Sequence, residues 1–174
     1  MPLESGLPEV VVDHEPIARH LFSAQQVRKD VKGRLVPKAQ AFMPQKLDDG
    51  EWVISVTRIC NFADVVAIER NGIGVGVVSG RVFHAHTTLL AKQIRSIRVQ
   101  DKEKNDVGTM DVVPEEPPVH HAHIIKYPDL IKGENPKLLQ KDCAEDLANQ
   151  ATPISLRTLP YEAWEMQLLE KKGY

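Results

Sequence analysis

Apolar and polar residues alternate along EWVISVTRI (51–59) and again along VHHAHIIK (119–126), the period-two pattern of a strand with one buried face. LDDG (47–50) supplies a turn before the first of them. EVVVD (9–13), QAFMP (40–44), DVVAIE (64–69), GIGVGVVSGRVF (72–83) and IRSIRV (94–99) are rich in β-branched residues and read as further strands. The glycine run at 72–80 leads into a strand-like stretch instead of a helix. It therefore predicts a tight or bulged hairpin, not a phosphate cradle. TTLLAKQIR (87–95) fits both periods, because Leu90, Ile94 and Ile97 also suit a helix.

Three segments follow the helical period. Leu139, Cys143, Leu147 and Ala151 recur every four residues after Asn135 as cap and Pro136 at the first position, and Thr152-Pro153 ends the run. DHEPIARHLFSAQQ (13–26) offers Asp13 as a cap, with Ile17, Leu21 and Phe22 turned inward. PYEAWEMQLLEKK (160–172) places Tyr161, Trp164 and Leu168 on one stripe and lysines at its C-terminal end.

Strands in the middle and helices near both ends predict an α+β fold, one domain over 1–174 with a mostly antiparallel central sheet. Within it, 100–118 is expected as an exposed charged and proline-rich connection, and 160–172 as a docking helix. Composition changes this picture little. At 42% hydrophobic and 26% charged the chain can bury a core, and with 5% aromatics that core rests on aliphatic side chains. A net charge of −2 argues against a strongly basic nucleic-acid binder but leaves room for a local patch at Lys92, Arg95 and Arg98. Cys60 and Cys143 are too few for a disulfide scaffold. With no signal-like start and no long apolar run, the expectation is a cytoplasmic protein with no membrane association.

Candidate chemistry rests on histidine. Alternation puts His121 and His123 on one strand face, with Cα atoms roughly 6.5–7 Å apart, and His120 on the other. RVFHAHTT (81–88) repeats the spacing with His84 and His86. If both strands serve one pocket, four imidazoles converge. With Asp129 they form a candidate site for a divalent metal such as zinc. The competing reading is that each pair lies on a solvated strand face. HEPIARH (14–20) fails the H-E-x-x-H zinc pattern, since position 18 is Ala. Arg58 shares a face with Ile54 and Val56, opposite Ser55 and Thr57, and either snorkels, lies buried and paired, or grips a phosphate or carboxylate. Cys143 belongs to the apolar stripe of its helix and reads as packing.

These residues favour a small hydrolase or transferase acting on a phosphoester of a nucleotide or nucleic acid. His121, His123 and Arg58 would be its catalytic groups. The alternative is a non-catalytic subunit of a larger assembly, meeting a protein partner through the C-terminal helix or the proline-rich segment.

Overall fold

In the computed structural model, residues 3–101, 103–127 and 136–173 are described. The chain is α+β with a mostly antiparallel sheet, as its pattern predicts. In chain order the elements are β1 (Pro16–Leu21), β2 (Val27–Lys29), β3 (Leu35–Pro37), β4 (Gln45–Lys46), β5 (Trp52–Arg58), α1 (Val65–Ser79), β6 (Ala85–Leu90) and α2 (Ala91–Arg95). There follow β7 (Arg98–Gln100), β8 (Asp106–Thr109), β9 (Asp111–Pro114), β10 (His121–Ile125), α3 (Pro136–Gln150), β11 (Ser155–Leu156) and α4 (Ala163–Lys171).

The main sheet runs β11-β6-β1-β5-β10-β9, with β4 also on β5, and every pairing is antiparallel. Register decides which side chains share a face. Ile17 opposes Arg58, Ala122 opposes Val56 and Ile124 opposes Ile54, so one face carries Ile17, Leu21, Ile54, Val56, Ala122 and Ile124. This face packs on Phe42, Ile94, Cys143 and Leu147 and forms the principal core. The opposite face carries His20, Thr57, His86, His121 and His123. α1 lies over part of it, since Asn71 of that helix bonds both His20 and Thr57.

Several expectations are overturned. The helix expected over 13–26 is the central strand β1, with Ile17, Ala18, His20 and Leu21 all buried. A strand covered on both faces loses its alternation, and its apolar residues then mimic a helical stripe. Conversely, the strands expected over 64–69 and 72–83 are the single helix α1. Asp64 caps its start by accepting the Ala67 N–H, and Gly80 closes it in a left-handed conformation (φ 64°). QAFMP forms a 3-10 turn (Ala39–Phe42), and 9–13 forms no strand, although Val11 is buried. IRSIRV divides between the end of α2 and β7. The 100–118 segment is more than a connection: it holds β8 and β9, with Met110 and Val112 buried.

EWVISVTRI and VHHAHIIK are the strands β5 and β10, and the helix expected over 136–151 is α3, with Leu139, Cys143 and Leu147 buried. Asn135, its expected cap, lies outside the described residues. α4 is present but is held differently from expectation. Its fully buried residue is Glu165, which takes both terminal nitrogens of Arg157 (2.6 and 2.8 Å). No helix among the described residues is long and apolar enough to cross a membrane.

Candidate functional site

Antiparallel register lines up polar side chains across four neighbouring strands on the face that α1 partly covers. His86 of β6 opposes His20 of β1, Ala18 opposes Thr57 of β5, and Thr57 opposes His121 of β10, with His123 opposing Ser55. The row has a buried end and an open end, and the two behave differently.

At the buried end, the Asn71 side-chain oxygen accepts from His20 Nε2 (2.9 Å) and from the Thr57 hydroxyl (3.2 Å). A proton on Nε2 leaves the His20 Nδ1 lone pair buried without a partner, and His86 Nδ1 is likewise unpartnered. Burial pushes the His20 pKa down to about 4, and burial also lowers that of His86 despite the pull of Glu69. Both rings are therefore neutral at pH 7. For Glu69, burial acts upward, but hydrogen bonds from the Thr158 and Leu159 N–H groups and the Thr158 hydroxyl prevail and hold its pKa down. Phe83 closes the pocket edge-on to His20 at 5.4 Å. His20, Thr57 and His86 are buried at this end, where Asn71 ties α1 to the sheet.

At the open end, the His121 and His123 rings stand edge to face with centroids 4.7 Å apart. His121 Nδ1 lies 3.1 Å from the Glu115 carbonyl oxygen. A carbonyl only accepts, so Nδ1 is the donor, and in the neutral ring the lone pair lies on Nε2. His121 is half-buried, whereas His123 is 8% exposed. Burial first, and the neighbouring His121 second, lower the His123 pKa, with Glu115 and Asp49 opposing. His120 points elsewhere. It sits at φ 67° with its ring edge-on to Phe62 at 4.8 Å, and its N–H is bonded to Glu116.

The remaining sequence candidates do not join this pair. Arg58 lies on the opposite face, as alternation required, and neither snorkels nor reaches solvent. It is completely buried, with Nε and one terminal nitrogen on Glu15 and the other on the Pro8 carbonyl. His86 is three strand spacings from His121, ~14 Å at ~4.8 Å each. β6 begins at Ala85, so His84 precedes it and turns to the Tyr161 hydroxyl (3.1 Å). The four imidazoles thus divide among three places. Among the described residues, no group of three or more His, Cys, Asp or Glu side chains is placed to hold a metal ion. Asp129 lies outside the described residues.

Sequence reasoning missed His20, Thr57 and Asn71. The signal for Thr57 was present, since it shares a face with Ser55. His20 was assigned to a helix and Asn71 fell between two expected strands, so neither was placed against this face of the sheet. No family model matches the chain, and searches of curated proteins and of solved structures return no significant match.

Proposed function

We propose that this chain is a small hydrolase that uses His121 as an acid–base group on a phosphoester of a nucleotide or nucleic acid, in a reducing compartment such as the cytoplasm. The observation carrying this reading is the Glu115 carbonyl, which fixes the tautomer and leaves Nε2 as the basic atom of a solvent-reaching ring. In the reaction, Nε2 takes a proton from water as the water oxygen bonds to phosphorus. The ester P–O bond then breaks, and the protonated ring returns that proton to the departing alkoxide. His123 is the positioning residue. Kept neutral by burial, it sets no second positive charge beside His121 as the proton arrives.

Arg58 drops out of the proposal, because it is buried on the other side of the sheet with each guanidinium nitrogen engaged by Glu15 or Pro8. A divalent metal such as zinc would find two imidazoles here, short of the three protein ligands of a typical catalytic site. The test is hydrolysis of bis(p-nitrophenyl) phosphate and a panel of nucleotides and short RNAs, with and without EDTA. Activity that survives EDTA, falls at least ~100-fold in His121→Ala and leaves the circular dichroism spectrum unchanged is expected. No turnover on the whole panel, or full activity in His121→Ala, would overturn the proposal.

A further inference from the structure

At the other end of the sheet, α4, β11 and the β2–β3 hairpin enclose a cleft of about 790 Å³ whose floor is the end of β1 and the start of β6. That volume falls within the roughly 300–1,000 Å³ typical of small-molecule sites. Its walls are mainly aliphatic, with Leu21, Val27, Leu35, Leu156, Met166 and Leu169 from five different segments. Leu156 and Met166 remain about half exposed (56% and 47%), so this apolar surface is open to an occupant.

The polar groups in the cleft are few and held in place. The Arg157 guanidinium is nearly fully buried, paired with Glu165 behind the wall, and stacked 4.4 Å over the Tyr161 ring. That stacking fixes Tyr161, whose hydroxyl meets His84 Nδ1 at 3.1 Å. Burial first, then Arg157 and Lys172, lower the His84 pKa against the pull of Glu165. The ring is consequently neutral at pH 7, and Tyr161 and His84 form a neutral hydrogen-bonding pair. Arg28 and Lys29 stand exposed on the lining strand β2, and neither has an ion-pair partner among the described residues. The lining contains no Asp or Glu.

We infer that this cleft binds a small amphipathic anion, an apolar ring or chain with one carboxylate, sulfonate or phosphate. The apolar body lies against Leu156, Met166 and Leu169, and the anionic group meets Lys29, which shares a strand face with Val27 and Leu35 of the lining. The inference stands apart from the His121 chemistry, which lies on β10, separated from the floor strand β1 by β5. A site of this composition recognises charge by its rim and shape by its walls, so the two contributions separate under mutation.

The probe is anilinonaphthalene sulfonate, followed by fluorescence and equilibrium dialysis. N-phenylnaphthylamine, nearly the same ring system without the sulfonate, is the comparator. Saturable binding of one sulfonate per chain is expected. The variant Lys29→Glu should weaken the sulfonate by about tenfold while changing the uncharged ligand less than about twofold. Met166→Glu, on an exposed helical position, should weaken both. Circular dichroism of each variant separates loss of binding from loss of fold. Absence of saturable binding, equal losses of both ligands in the folded rim variant, or unchanged binding in Met166→Glu each overturns the inference.

Discussion

Arg58 is the bulkiest side chain that the described fold buries completely. Its strand face was legible, because the alternation of EWVISVTRI sets it with Ile54 and Val56. Its partner was not. Glu15 is 43 residues away, in a stretch that reads as a helix start. A buried charge that loses its counterion keeps its desolvation cost, so Arg58→Ala should destabilise by about 3–5 kcal/mol in urea unfolding. The paired replacement Arg58→Met/Glu15→Leu should recover most of that loss, because neither charge is then stranded. An Arg58→Ala protein with parental stability and lost turnover would return Arg58 to the catalytic list. The histidines divide in the same manner. His121→Ala removes a half-buried ring and should cost below about 1 kcal/mol, within the range of surface substitutions or little beyond it. An unfolded His121→Ala would mark the strand as structural.

Between residue and fold, α1 shows where local pattern fails. VVAIERNGIGVGVVS has the valines and glycines of strands and hairpins, and both are poor helix formers. Tertiary contact explains the glycines. A Cβ on Gly72 would stand 2.5 Å from the Phe83 ring, and one on Gly76 would collide with the Arg81 carbonyl oxygen. Glycine lets the helix lie close to the 81–84 segment, while the Asp64 cap and Gly80 stop were the legible signals. Gly76→Ala should therefore cost about 1–3 kcal/mol through overpacking against backbone. Gly74→Ala, with open space at its Cβ, should gain about 0.5–1 kcal/mol from helix propensity. Equal effects of the two, measured by thermal and urea unfolding, would refute this account of the glycines. α4 makes the complementary point. Its apolar stripe was legible, but its anchor is the Arg157–Glu165 pair, whose two side chains are 1% and 0% exposed. Glu165→Ala should lose about 3 kcal/mol by stranding Arg157, and so lower Tm by roughly 6–12 °C in a chain of this length.

Across the whole molecule, the sheet separates an aliphatic core on one face from an imidazole row on the other, and acid should act chiefly through the row. The α+β class and the faces of β5 and β10 could be read from alternation. The order of strands could not, because β1 is covered on both sides and long-range register leaves no local trace. That order brings His20 and His86 together under α1. His20 has a folded pKa of about 4 against an ordinary value of 6.5, and burial lowers His86 and His123 in the same direction. Below pH 6.5 the unfolded chain thus binds protons that the folded chain refuses. Stability rises with pH through this window and is lost as pH falls from about 6.5 toward 4. For His20 alone the full loss is on the order of 3 kcal/mol. Carboxylates held below their ordinary values, such as Glu69, Asp111 and Glu165, lose their contributions only at lower pH, below about 5. The interval from pH 6.5 to 5 therefore reports the histidines. Urea midpoints measured at half-unit steps should fall across it for the parent protein and fall less steeply for His20→Gln, which cannot take up a proton. Parallel curves for the two proteins would mean that the buried end of the row does not govern acid sensitivity.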